Sequence, residues 1–234
     1  MGTTGEASIE IGGPSVHLRI TAEPDGSLRI GDHILLKAST GRYEDFQGKV
    51  IRDLAILSTT PAGLARLSNV QENPGGHEVV IREFSASEEA LWGPNNSLTF
   101  PGGALKGPYT LKYDESGSPT PGPGSGSELA YNPEAESGPA GHPKPKDALL
   151  FHELGHAEHN AWGINRGKEP MADGWTSREE WQTIQGGVNT PDGTSVPGLP
   201  VSPSENEYLA QRGYPYRRTS HSGWANPDGT PITP

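Results

Sequence analysis

The chain has 234 residues, of which 31% are hydrophobic, 32 are glycine and 23 are proline, so much of it must be loop around a modest core. Its net charge of −11 comes without a basic cluster, which argues against nucleic acid and anionic membranes as partners. It has no cysteine, so disulfides and thiolate metal ligands are excluded. We expect neither a signal peptide nor a membrane span, because no suitable apolar run occurs.

The beginning of the chain alternates apolar and polar residues between turn signals. The alternating apolar positions are Ile9, Ile11, Val16, Leu18, Ile20, Leu28, Ile30 and Ile34. Gly12-Gly13-Pro14 and Pro24-Asp25-Gly26 separate them, which predicts short strands in a hairpin or meander. We therefore divide the chain into a β-rich N-terminal segment, residues 1–50, and a second domain, residues 51–234.

Further elements follow along the second domain. Thr60-Pro61 predicts a helix start, with the helix running to about Val70, and residues 77–84 read as a strand. The Pro/Gly/Ser-rich residues 114–127 predict a loop without regular structure. Residues 128–133 predict a short strand, either an edge strand that holds extended substrate or plain scaffold.

The pentapeptide His152-Glu153-Leu154-Gly155-His156 is the most informative motif. On a helix, two histidines four residues apart project from one face, so both imidazoles can bind one Zn²⁺. The glutamate between them is then placed beside the metal-bound water as general base. We expect the helix to run from about Pro145 to Trp162 and to end at Gly163.

A catalytic zinc usually has three protein ligands, so one more is needed. His159 lies roughly 10 Å along the helix axis from His152, at about 1.5 Å per residue, which makes it a poor candidate. Two later helices offer carboxylates: Glu180 follows the cap signal Ser177, and Glu205 follows Ser204. Spacing alone does not choose between these glutamates, and Glu180 could simply serve its own helix cap.

A resemblance bears on this choice. Residues 179–187, EEWQTIQGG, resemble the E-E-x-x-T-x-G-G segment of clostridial neurotoxin light chains, which implies Glu180 as third zinc ligand. Residues 55–222 are similar to NleD-type effector metallopeptidases and to toxin domains of Rhs and VgrG proteins. The matching pieces are Thr60-Pro61-Ala62-Gly63, Gly124 to Pro133, His152 to Ala157, the Glu179-Glu180 segment and Ser204 to Ser220.

The resemblance implies an α+β, zincin-like fold with a small twisted sheet, the metal helix and a loop-rich C-terminal part. It also implies an Arg-x-x-Tyr element whose arginine and tyrosine stabilise the oxyanion. Here that stretch is Arg218-Thr219-Ser220-His221, so the candidate catalytic residues are Glu153, Arg218 and His221, with Tyr216 as an alternative to His221. Arg218 could equally be an ordinary surface charge.

The resemblance further implies a zinc-dependent endopeptidase that is secreted as a toxin through a type VI or type III system. Its expected partners are a protein substrate in the cytoplasm or periplasm of a target cell, a carrier such as a VgrG spike, and a cognate immunity protein. The alternatives are a non-catalytic delivery module with a structural metal site, and a metal-dependent cell-wall hydrolase. A structural site would have no need for Glu153 beside the water position.

Overall fold

A computed structural model describes residues 18–101, 112–113, 115, 119–167, 171, 175–186, 201–220, 222–226 and 228–232. The strands are β1 (Ile20–Ala22), β2 (Leu28–Ile30), β3 (Ile34–Leu36), β4 (Val79–Glu83), β5 (Leu98–Pro101), β6 (Lys112–Tyr113), β7 (Pro119–Thr120), β8 (Ser127–Tyr131), β9 (Arg217–Arg218) and β10 (Trp224–Ala225). The helices are α1 (Phe46–Leu57), α2 (Pro61–Gln71), α3 (Ala86–Trp92), α4 (Asp147–Ala161), α5 (Arg178–Gln185) and α6 (Glu205–Gln211). The predicted α+β class is confirmed.

The main sheet has six strands in the order β1-β2-β3-β4-β8-β5. Strands β3, β4 and β8 are parallel, while β1, β2 and β5 run antiparallel to their neighbours. The expectation that residues 128–133 form an edge strand is wrong, because β8 pairs with β4 on one side and with β5 on the other. The edge beside the metal helix is β5, whose terminal Pro101 suits an edge position.

The predicted N-terminal strands at Ile20, Leu28, Ile30 and Ile34 are confirmed, whereas those at Ile9, Ile11 and Val16 lie outside the described residues. Strands β1 to β3 belong to the same sheet as β4 and β8. Residue 50 lies within α1. The separate N-terminal segment of residues 1–50 stays a prediction, and the sheet draws strands from both sides of that division.

Helix α4 lies at the centre of the molecule, in contact with β5, β8 and the helices α1, α2, α5 and α6. Leu150, Leu154 and Ala157 are fully buried, as the predicted inward face requires. Gly163 follows the helix with φ +68°, and a Cβ there would lie 2.1 Å from the carbonyl oxygen of Gly122. Only glycine fits this helix end, which agrees with the predicted bounds.

The predicted start of α2 is confirmed: Pro61 occupies the first turn, and Thr60 Oγ1 accepts a hydrogen bond from Gly63 N at 3.0 Å. The prediction that residues 114–127 have no regular structure is partly wrong, because β7 lies within this range and pairs with β6 just before it. After α4, the described chain forms only two short helices and the small β9–β10 hairpin, as its glycine and proline content predicts. No helix in the described residues is long and apolar enough to cross a membrane.

Candidate metal centre

His152 and His156 lie one turn apart on α4 and turn their imidazoles toward the same point. Their Nε2 atoms are 3.2 Å apart, although α4 packs most of its remaining surface into the core. The rings meet edge to face, with centroids 4.8 Å apart. The spacing of the motif therefore produces the predicted pair of converging nitrogens.

Glu180, in the first turn of α5, completes this group. Its Oε2 lies 3.4 Å from His152 Nε2, and its Oε1 lies 3.3 Å from His156 Nε2. Ser177 Oγ caps the helix by accepting from Glu180 N at 3.2 Å, so the cap uses the backbone of Glu180 and leaves its carboxylate free to face the histidines. One ligand atom from each of the three residues lies within 4.8 Å of the other two.

Carboxylates fix the tautomers of the two histidines. Glu205 Oε2 lies 2.8 Å from His152 Nδ1, and Glu179 Oε1 lies 2.9 Å from His156 Nδ1. Because a carboxylate only accepts, each Nδ1 must carry the hydrogen of the neutral ring. In a neutral ring each Nε2 presents a lone pair toward the other and toward Glu180. Two imidazole nitrogens and a carboxylate that face one point are an arrangement that suits a metal cation.

The charges of this region agree with that conclusion. Burial opposes the ionisation of Glu180, but His156 and His152 outweigh it and hold the pKa of Glu180 well below its usual range. Burial likewise opposes a charge on His156, yet Glu180 and Glu179 raise the pKa of His156 well above its ordinary value. The three groups thus favour positive charge between them.

Glu205, at the start of α6, connects His152 with two cations. Besides His152 Nδ1, its carboxylate accepts from Lys144 Nζ at 2.8 Å and from Arg218 Nη1 at 3.0 Å. Burial opposes its charge, but Lys144, Arg218 and His152 hold the pKa of Glu205 well below its usual range. Its Oε2 faces the Nδ1 edge of His152, opposite the side of the ring that meets Glu180.

Of the residues predicted to stabilise the oxyanion, Arg218 and Tyr216 lie in the described part of the chain. Arg218 is 8% exposed, so it is not an ordinary surface charge, and it lies with its guanidinium 5.9 Å from the ring centre of Trp224. His221 lies outside the described residues. Tyr216, the alternative to His221, is half-buried and packs against His142 and Tyr214.

His159 belongs to a buried polar chain behind the metal group. Its Nδ1 lies 2.7 Å from Glu179 Oε1, and its Nε2 lies 2.9 Å from Ser202 Oγ. Arg66, fully buried, donates to Ser202 Oγ at 3.0 Å. His159 Nδ1 donates to the same Glu179 oxygen as His156 Nδ1.

Glu153, the predicted general base, is buried on α4 beside the two histidines. Its Oε2 accepts a hydrogen bond from Thr99 Oγ1 of β5 at 2.7 Å. That hydroxyl also lies 3.0 Å from the backbone oxygen of Glu153. Thr99 holds one carboxylate oxygen and connects the edge strand to Glu153, a contact that no motif in the sequence signals.

A cleft of about 430 Å³ opens beside the metal group. Its inner wall includes His152, Glu153 and Arg218. Lys144, which no sequence motif marks, lies in the same wall and is buried. A molecule in the cleft would therefore meet Glu153, His152 and two cationic side chains together.

The residues present fit a metal ion. Glu180 Oε2 is buried and has no hydrogen-bond partner among the described residues. Two imidazole nitrogens and one carboxylate oxygen are the donor set that zinc accepts in catalytic sites, where it keeps one further position open. The part of the chain described here has no other cluster of this kind.

The chain is similar to several solved structures. The chain matches the botulinum neurotoxin serotype F catalytic domain of Clostridium botulinum at 11% identity and TM-score 0.44, over 95% of this chain and 80% of that one. The botulinum neurotoxin serotype F light chain matches at 11% identity and TM-score 0.46, over 99% of this chain and 80% of that one. The serotype HA light chain matches at 12% identity and TM-score 0.43, over 91% of this chain and 71% of that one. No curated protein gives a significant match.

A family model, Peptidase M91, described as effector protein, matches residues 37–219. The matched range contains His152, Glu153, His156, Glu180 and Glu205. It covers most of the chain and confirms the resemblance to effector metallopeptidases. The chain therefore belongs to the Peptidase M91 family of effector proteins and is a metallopeptidase.

Proposed function

We propose that the chain is a zinc-dependent endopeptidase that acts as a secreted effector and cleaves proteins in a host or competitor cell. One observation carries this proposal: the nitrogens of His152 and His156 converge with the carboxylate of Glu180, and His152 and Glu153 line a cleft. A structural metal site would be closed and would have no base next to it.

The residues that would hold the zinc are His152, His156 and Glu180. When bound, zinc would supply a Lewis acid that makes a water molecule more acidic and polarises the scissile carbonyl. Glu205 and Glu179 orient the two histidines through their Nδ1 hydrogens.

Glu153 would accept a proton from the attacking water and then give it to the leaving amine as the C–N bond breaks. The hydrogen bond from Thr99 to Oε2 leaves Oε1 as the acceptor for that proton. Arg218, in the cleft wall, would stabilise negative charge on the carbonyl oxygen of the substrate. The same role for His221 rests on the resemblance alone.

Delivery is part of the proposal. The family of effector proteins supports secretion, and a type VI or type III system is the route we propose. The partners would be a carrier such as a VgrG spike, an immunity protein in the producing cell, and a protein substrate in the cytoplasm or periplasm of the target.

The direct test is to incubate the zinc-loaded protein with extracts of target cells and to identify new peptide N-termini by mass spectrometry. The matched control is the same protein after chelation and dialysis. We expect new N-termini that appear only with zinc and return on its re-addition. A zinc-loaded protein that produces no new N-termini in any extract would overturn the proposal.

A further inference from the structure

Helix α3 carries two large apolar side chains that the fold does not bury. Leu91 is 78% exposed and Trp92 is 57% exposed, and no residue of this helix is buried. Exposed tryptophan next to a cleft is a frequent mark of a binding surface. The apolar end of α3 therefore makes few contacts with the rest of the fold.

Polar contacts at its N-terminus hold helix α3 in place. Ser85 and Glu88 form a reciprocal capping box. Glu88 also accepts from Arg82 through both oxygens, at 2.9 and 2.7 Å, which ties the helix to β4. Polar contacts therefore anchor α3, so Trp92 contributes little to its position and remains available to a ligand.

Trp92 lies on the wall of the same cleft as His152 and Glu153. The connection from α3 to β5 continues that wall through Gly93, Pro94, Asn95 and Asn96. Trp224 lies on the wall as well, held by Arg218 and by Tyr214, whose ring centre is 6.0 Å away. The indoles of Trp92 and Trp224 thus border a cleft that His152 and Glu153 also line.

The charged side chains of the cleft wall, Lys144, Glu153 and Arg218, all lie at its His152 end. Lys144 and Arg218 are paired with Glu205, and the segment from Trp92 to Asn96 contains no charged residue. A charged side chain at this end would lose hydration without gaining a partner. A large apolar side chain would instead bury its surface against Trp92.

We propose that Trp92 forms a specificity subsite for a large aliphatic or aromatic side chain of the substrate polypeptide, close to the scissile bond. This inference rests on the proposed function and adds the substrate class that the cleft selects. The ligand is the protein substrate itself, because the cleft that Trp92 borders contains the proposed base.

The test uses a proteome-derived peptide library cut by zinc-loaded protein, with the cleavage sites read by mass spectrometry. Wild-type sites should be enriched in large apolar residues at one fixed position. Trp92→Ala should lose this enrichment and cut preferred peptides with a kcat/KM lower by roughly tenfold. Leu91→Ala is the matched control, since Leu91 lies on the same helix end but does not line the cleft.

Trp92→Lys gives a second reading, because it should shift the preference at that position toward acidic residues. All variants should hold the same amount of zinc. Cleavage by the wild type without apolar enrichment, or unchanged enrichment in Trp92→Ala, would overturn the subsite while leaving the peptidase assignment intact. Absence of any cleavage by zinc-loaded wild type would overturn the peptidase itself and the subsite with it.

Discussion

Glu205 Oε2 lies 2.8 Å from His152 Nδ1, and this contact links the metal group to Lys144 and Arg218. Glu205 thus acts on the opposite side of the imidazole from Glu180, whose carboxylate faces the two Nε2 atoms. The structure separates the two glutamates that the sequence left as alternatives. Glu180 is a candidate metal ligand, and Glu205 positions the imidazole of His152.

This separation predicts different losses of zinc affinity. Glu180→Gln should bind zinc very weakly, because an amide oxygen is a poor replacement for a carboxylate ligand. Glu205→Gln should lose roughly 10- to 100-fold in affinity, as expected for a residue that orients a ligand. Competition with a fluorescent chelator measures both, and Glu207→Gln on the same helix is the control. Full zinc occupancy in Glu180→Gln, with loss in Glu205→Gln, would exchange the two roles.

Thr99 should affect catalysis more than substrate binding. Thr99→Val removes the hydroxyl that holds Glu153 Oε2 but keeps the shape of the side chain. We expect kcat to fall by roughly tenfold with little change in KM, since a hydrogen bond to a charged group is worth about 1.5 to 3 kcal/mol. Steady-state kinetics on a cleaved peptide measures this. A rise in KM at unchanged kcat would show that Thr99 binds substrate instead.

Ser202 should matter for stability. Ser202→Ala removes one hydrogen-bond partner from each of His159 Nε2 and Arg66 Nη1. Arg66 keeps its bond to Glu158, whereas His159 Nε2 keeps only a 3.5 Å contact with Gln182. The free energy of unfolding should fall by about 1 to 3 kcal/mol. Urea denaturation of the metal-free proteins measures it, with Ser68→Ala as a control in which the lost hydrogen bond is exposed. Equal destabilisation by the two changes would contradict a stabilising role for the buried hydrogen bonds of Ser202.

Glu88 should make stability depend on pH. Its hydrogen bonds with Arg82 outweigh burial and lower its pKa from 4.5 to about 2. Because the pKa is lower in the folded state, ionised Glu88 stabilises the fold above about pH 4.5 and loses this effect as the pH falls toward 2. Glu88→Gln should cost about 1 to 2 kcal/mol at pH 7. Denaturation between pH 7 and 3 should show this difference shrinking. A constant difference, or one that the exposed control Glu44→Gln shares, would contradict the assignment.

The sequence predicted the parts of the site that depend on local spacing. His152, Glu153 and His156 converge because a helix brings positions four apart together, and the apolar run with Gly163 marks that helix. The cap signals at Ser177 and Ser204 likewise predicted where α5 and α6 begin. These patterns act within about one helical turn and need no tertiary information.

Other features depend on contacts between distant residues, which no local pattern reveals. Strand β8 was one candidate for an edge strand that holds substrate, with plain scaffold as the alternative, but β5 pairs with the side that β4 leaves open. Lys144 and Thr99 reach the site only through the packing of α4 against its neighbours. Helix α1 begins after Asp45, whose side chain makes no capping hydrogen bond, so the sequence carries no clear signal for its start.

The most direct test of the account is the Glu153→Gln variant. The change replaces the proposed base by an amide of the same size and leaves both histidines and Glu180 in place. We predict that this protein folds, holds as much zinc as the wild type, and loses peptide cleavage by roughly 10² or more. Metal analysis and single-turnover cleavage on the same preparation give both quantities. Unchanged cleavage with full zinc content would contradict the assignment of Glu153 and with it the proposed mechanism.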